Sequence, residues 1–186
     1  MARRQLTPPD PPLTDGEIVL RTRRETDLPA IAEASHDAET RRRLNDAPIT
    51  PAEQRDSISR AEQQWSTGAG APFVIAAAGD DRPLGLLNVQ LDTHDEEVAS
   101  LAVSVFPEAR GRGVAARALR LGARWGLREL GLARVVAEAA VDNSASIRAI
   151  EKAGFQREGI LRAHCTTHDE RHDCVMFSLV GADLDE

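Results

Sequence analysis

Between residues 84 and 91 the chain alternates. Leu87, Val89 and Leu91 are apolar against Asn88 and Gln90, the period of two that marks a half-buried strand. Residues 17–21, 73–78 and 98–105 read as further strands. The turn Gly79-Asp80-Asp81 ends the second of these, and the acidic run Asp92-Thr93-His94-Asp95-Glu96-Glu97 introduces the third. From Val114 the period becomes helical. Val114, Ala118, Leu121 and Trp125 share one face, while Arg117, Arg120, Arg124 and Arg128 form a stripe on another. The stripe reads as a solvated face rather than a nucleic-acid contact. Residues 133–141 are a strand, and Asp142-Asn143-Ser144 caps a helix that closes at Lys152-Ala153-Gly154. Residues 155–161 and 174–180 complete the strands, joined by a polar connection over 164–173. Upstream, Thr26 caps a helix to Ala34, with Asp27 in its first turn. A second short helix covers 38–44, and Pro48 and Pro51 punctuate. Thr50 with Glu53 forms a capping box for a helix that runs to Trp65 and stops at Gly68 and Gly70. Residues 1–15, with Pro8, Pro9, Pro11 and Pro12, read as a mobile tail, and 16–183 as one domain. The order of elements predicts an α/β fold with a mixed sheet.

Composition narrows the function classes. A chain of 186 residues with 41% hydrophobic and 28% charged content describes one soluble globular domain. A net charge of -7 argues against nucleic acid as the main partner and suits a cationic substrate such as an amine. No apolar run is long enough to span a bilayer and no leader pattern opens the chain, so no membrane partner is expected and the cytoplasm is the expected compartment. Cys165 and Cys174 read as free thiols, one in a loop and one in a strand. His164, His168 and His172 lie among Asp169, Glu170 and Asp173. This reads as a polar hairpin loop, with no metal expected.

The stretch Arg110-Gly111-Arg112-Gly113-Val114-Ala115 carries the chemistry. It follows the strand that Pro107 closes and opens the long helix. The first helical N–H groups have no intrahelical partner, and the helix dipole favours an anion there. Gly111 and Gly113 let a phosphate approach the backbone, and Arg110 and Arg112 add charge. The segment therefore predicts a pyrophosphate ligand. There is no Gly-x-x-x-x-Gly-Lys-Ser/Thr, so this is not a P-loop. A Rossmann fingerprint lacks its third glycine.

A second segment, Asn143-x-x-Ser146 followed by Glu151-Lys152-x-Gly154-Phe155, completes a pair. With Pro107-Glu108-Ala109-Arg110-Gly111-Arg112-Gly113, it resembles the GNAT N-acetyltransferase superfamily and its RimJ/RimL-like branch, over roughly residues 17–180. The resemblance implies a mixed, mostly antiparallel sheet that splays after its fourth strand, flanked by helices. It implies acetyl-CoA as cosubstrate, with the pantetheine arm on the strand edge of Val103, Ser104 and Val105. The pyrophosphate would lie on Arg110, Gly111, Arg112, Gly113, Val114 and Ala115. Asn143 would contact the cofactor, although it equally suits a plain helix N-cap. Ser146 would protonate the leaving thiolate, against the alternative of a surface serine.

The implied reaction is direct attack of a primary amine on the thioester in a ternary complex. The acceptor is a protein N-terminal α-amine or a small-molecule amine. An α-amine, with an ordinary pKa of about 7.7–8 against about 10.4 for lysine, needs less help to lose its proton. Two features depart from the family pattern. The chain has no tyrosine to serve as the acid, and the branch's strand-four Glu is replaced within Ser100-Leu101-Ala102-Val103. Glu97 and Glu138 are the candidate bases, and the acceptor site is expected from residues 38–65 and 164–173. Two alternatives stay open, an acyl-CoA-binding protein of this fold with impaired catalysis and an enzyme using another acyl-CoA. The resemblance also allows a homodimer.

Overall fold

The computed structural model describes residues 5–43 and 50–184, without the side chains of Pro51, Gln54 and Arg55. Eight strands form one sheet in the order β1-β2-β3-β4-β5-β6-β8-β7. They are β1 (Leu13–Thr14), β2 (Ile18–Arg21), β3 (Gly70–Ala77), β4 (Pro83–Leu91), β5 (Val98–Val105), β6 (Arg134–Ala140), β7 (Gln156–Thr167) and β8 (Glu170–Val180). All pairs are antiparallel except β5 with β6. The helices are α1 (Leu28–Ser35), α2 (Ala38–Arg43), α3 (Pro51–Thr67), α4 (Val114–Arg128) and α5 (Ser144–Lys152).

Alternation along the strands sends Leu87, Leu101, Val135 and Phe177 to one face, all buried in a single core cluster with Ala118, Leu119 and Ala123 of α4. Gly122 permits this approach, because a Cβ there would lie 2.7 Å from a Leu87 methyl. Trp65, Phe73 and Trp125 close the lower end of that core edge to face, with centroids 5.1, 5.5 and 6.0 Å apart. On the opposite face α1 packs Ile31 and Ala34 against Phe106 and Leu86.

The capping box of α3 forms as expected. Thr50 Oγ1 accepts from the Glu53 amide at 3.3 Å, and Gly68 ends the helix at φ 69°. Four expectations need correction. Residues 5–15 are no tail: Leu6 is 4% exposed and donates its amide to the Trp65 carbonyl, and β1 pairs with β2. Residues 1–4, like Leu44 and Pro48, lie outside the described residues. The Thr26 cap is displaced by a 3-10 turn over Glu25–Asp27, in which Asp27 turns inward to Arg21. The polar connection over 164–173 is strand. β7 and β8 extend through it and turn at His168 and Asp169, whose φ angles are 51° and 63°. Cys165 and Cys174 are disulfide-bonded across that hairpin, with Cα atoms 6.0 Å apart, because the extended β7 brings Cys165 beside β8.

Candidate active site

β5 and β6 pair only from Val98↔Arg134 to Ser100↔Val136. Beyond that β6 stays with β8 and β5 stays with β4, so the two strands part and leave a notch. The Phe106 amide donates to the Leu84 carbonyl at 2.8 Å, which fixes the parity of β5. Alternate amides face alternate neighbours, so those of Val103 and Val105 point into the notch and that of Ser104 turns to β4. An acyl-CoA arm laid in the notch meets a strand edge with these donors open.

The cradle stands at the mouth of the notch. Gly111 and Gly113 adopt φ of 74° and 78°, a region open to glycine, and a Cβ on either would meet nothing within 4 Å. Gly113 is the N-cap of α4 and offers no side chain to its amides. The N–H groups of Val114 and Ala115 therefore point outward with the positive end of the helix dipole. Arg112 is exposed. Arg110 is not turned to the cradle. Its Nη2 lies 2.6 Å from Asp37 Oδ2 and 2.8 Å from Thr40 Oγ1, and its Nε donates to the Val105 carbonyl at 3.3 Å. The Arg110 side chain thus ties the cradle to the α1–α2 corner and is turned from the amides at the start of α4.

Arg110, more than any other neighbour, draws the Asp37 carboxyl down to about 2, and bonds from Thr40 add to this. A carboxyl lowered by folding contributes stability above its ordinary pKa and loses it as pH falls through the folded value. The pair is accordingly unaffected from pH 5 to 8 and is lost towards pH 2. A carboxyl-carbon NMR titration of Asp37 should show a midpoint near 2. A midpoint near the ordinary 3.8 would contradict the contact.

Asn143 Oδ1 accepts from the Ser146 amide at 3.2 Å, so Asn143 is the N-cap of α5. Ser146 is half-buried in the first turn of that helix, which starts where β6 ends beside the notch. Glu97 does not belong to the site. It precedes β5 at the closed end, where its carbonyl accepts from Ala133 and Arg134. The whole of β5 separates it from the cradle, on the order of 25 Å at about 3.3 Å per residue. Glu138 lies in the parted stretch of β6, and its Oε2 is 3.1 Å from His164 Nε2. His164 falls in the segment 164–173 expected at the acceptor site, but spacing gives no sign that it pairs with Glu138, because the two sit on different strands. A register shift in β7 between Leu161 and Cys165 bulges His164 out, and Asp173 Oδ1 holds the bulge through the Ala163 amide at 2.8 Å.

The short helix α2 borders this face with no buried residue. Three polar contacts hold it: Arg110 to Asp37 and Thr40, Arg43 to Asp142 at 3.0 Å, and His168 Nε2 to the Arg41 carbonyl at 3.0 Å. Among the described residues no group of three or more His, Cys, Asp or Glu is placed to hold a metal, and no helix is long and apolar enough to cross a membrane.

The sheet thus parts beside the Gly113-capped start of α4, which leaves a cleft with open backbone amides at its mouth. Residues 17–156 match the family model described as "Acetyltransferase (GNAT) domain", and the chain belongs to that family of acetyl-CoA-dependent N-acetyltransferases. The chain is 25% identical over 164 residues to the uncharacterized N-acetyltransferase p20 of Bacillus licheniformis, covering 88% of this chain and 92% of that protein. The fold is shared with RimJ of Mycobacterium smegmatis, solved in complex with CoA-disulfide (TM-score 0.81, 20% identity, 94% of this chain and 88% of that one). It is also shared with the ribosomal-protein-S5-alanine acetyltransferase of Vibrio fischeri (TM-score 0.77, 16% identity, 90% of this chain and 94% of that one).

Proposed function

We propose that the protein transfers an acetyl group from acetyl-CoA to a primary amine, either the α-amine of a peptide N-terminus or a small-molecule amine. The observation that carries this reading is the notch between β5 and β6, with the cradle at its mouth and the Glu138–His164 pair on its β6 bank. The pyrophosphate rests on the amides of Gly111, Arg112, Gly113, Val114 and Ala115. The pantetheine arm pairs with the edge at Val103 and Val105, beside Ser104. The amine approaches from the face that carries Glu138, between α2 and the β7–β8 hairpin.

Glu138 accepting from His164 Nε2–H leaves the His164 Nδ1 lone pair to take the proton of the incoming ammonium. The neutral nitrogen attacks the thioester carbonyl. The developing oxyanion is held by strand-edge N–H groups of β5. The C–S bond breaks as the tetrahedral centre collapses, and the thiolate takes a proton through the Ser146 hydroxyl, which regains one from the nitrogen as it becomes the amide. Asn143 sets the start of α5 and so positions Ser146. The dimer that the family resemblance allows is not needed for any of these steps.

Thiol release from acetyl-CoA, followed over a panel of small amines and short peptides with free N-termini, tests the reading. Turnover with at least one amine is expected. Tight acetyl-CoA binding without turnover on any acceptor would select the impaired-catalysis alternative. Glu138→Gln should lower kcat roughly a hundredfold while leaving the acetyl-CoA Kd unchanged. An equal loss in acetyl-CoA binding would remove Glu138 from its role as the partner that orients His164.

A further inference from the structure

Two buried donors have no hydrogen-bond partner among the described residues, Arg23 Nε and Trp65 Nε1. Both residues line one cavity of about 410 Å³, walled also by Leu6, Pro8, Ile58 and Ala61. Native proteins leave few buried polar groups unpaired, and two orphan donors on one cavity point to a missing acceptor. A single water occupies about 30 Å³, so a cavity of this size is in the range of small-ligand sites, which begins at about 300 Å³.

The cavity lies at the end of the sheet away from the cradle. Trp65 closes α3 just before β3 starts at Gly70, and Gly70 pairs with Gln90 near the end of β4. β5 runs from that end to the cradle over eight residues, so the two sites are on the order of 25 Å apart.

The chemistry of the lining limits the occupant. Trp65 is 5% exposed. The Arg23 guanidinium makes one bond, from Nη1 to the Ser57 carbonyl at 3.3 Å, and pairs with no carboxylate among the described residues. Asp27, the acid whose charge bears on it, is bound by Arg21 at 2.8 Å. Burial pushes the Arg23 guanidinium down from its ordinary value; Asp27 opposes this and the charge of Arg60 adds to it. Arg23 is half-buried and its Nε is closed off from solvent, so a bound anion would give that donor the acceptor it lacks. Glu62 also lines the cavity and disfavours a multiply charged anion. Gln5, Thr7, Thr22 and Ser66 add neutral polar groups to the lining, and the apolar wall is Leu6, Pro8, Ile58 and Ala61.

We infer that this cavity is a second ligand site, separate from the acyl-CoA notch, that takes an amphipathic monocarboxylate. The carboxylate accepts from Arg23 and from the Trp65 indole N–H, and the apolar body lies against Leu6, Pro8, Ile58 and Ala61. Residues 5–8 line one side of the cavity.

The chain has two tryptophans, so its amide NMR spectrum holds two indole N–H signals, from Trp65 and Trp125. The full chain is titrated with 3-phenylpropionate and, separately, with its neutral amide, 3-phenylpropionamide. The acid should move the Trp65 indole signal downfield and saturably, and the amide should not. Arg23→Gln should weaken the acid roughly tenfold or more while leaving acetyl-CoA affinity unchanged. The inference is overturned if the acid leaves the Trp65 signal in place up to about 10 mM, well above a millimolar Kd. It is also overturned if acid and amide act alike, or if folded Arg23→Gln binds as the wild type does. The acid-against-amide comparison on the wild-type chain decides the matter even if the variant does not fold.

Discussion

Gly113→Glu should weaken acetyl-CoA binding a hundredfold or more, roughly 3 kcal/mol, in a protein that stays folded. Gly113 caps α4 at φ 78°, and a Cβ there meets nothing within 4 Å, so the new side chain has room and projects where the pyrophosphate is placed. It brings a negative charge to the end of a helix that would otherwise attract one. It also forces a non-glycine residue into the left-handed region, at a cost of about 1–2 kcal/mol. Gly113→Ala carries the strain without the charge and should lose less. Calorimetric titration with acetyl-CoA separates the two. Wild-type affinity in folded Gly113→Glu would place the pyrophosphate elsewhere.

Asp27→Ala should lower stability by about 3 kcal/mol or more, because it strips the main partner from a buried cation. Arg21 and Asp27 are 5% and 1% exposed, and the guanidinium clasps the carboxylate with two bonds of 2.8 and 2.9 Å. Asp27 also accepts from the Arg24 amide at 2.8 Å, which shapes the turn into α1. Asp81 gives Arg21 a second acid at 2.7 Å, so the loss falls at the lower end of the range for a broken buried pair. For a chain of this length the expected fall in Tm is roughly 10 °C. Replacing both residues, Arg21→Met with Asp27→Leu, should recover most of that loss, since it removes the stranded charge. A fall of only a degree or two in Asp27→Ala would show that Asp81 alone satisfies Arg21.

What was legible in the sequence was local. The glycine-capped start of α4, the α3 capping box, the alternation of β4 and the N-cap at Asn143 each depend on residues within a few positions of one another, and each stands where the pattern put it. The features that were not legible depend on partners far along the chain. Arg110 carried the motif, but its partner Asp37 lies 73 residues away, and no spacing rule reports that the side chain turns from the anion. Glu138 was readable as a carboxylate near the site, while its partner His164 reaches it only through a bulge in β7. Residues 164–173 looked like a loop because they are polar. They form an edge hairpin, which can be polar on both faces because little covers it. The proline-rich start masked Leu6, one apolar residue whose burial at the foot of α3 is enough to fasten the segment. Glu97 was near the right strand but at its closed end, a distinction that only the strand's direction settles.

The central claim is that an acyl-CoA lies in the notch of β5 and β6 with its pyrophosphate on the start of α4. Titration of the full chain with acetyl-CoA, followed residue by residue through its amide NMR signals, tests this most directly. The account predicts saturable shifts that are largest at Gly111, Gly113, Val114 and Ala115, with Val103 and Val105 moving together with them. Shifts confined to other surfaces, with those six amides unmoved at saturation, would contradict it.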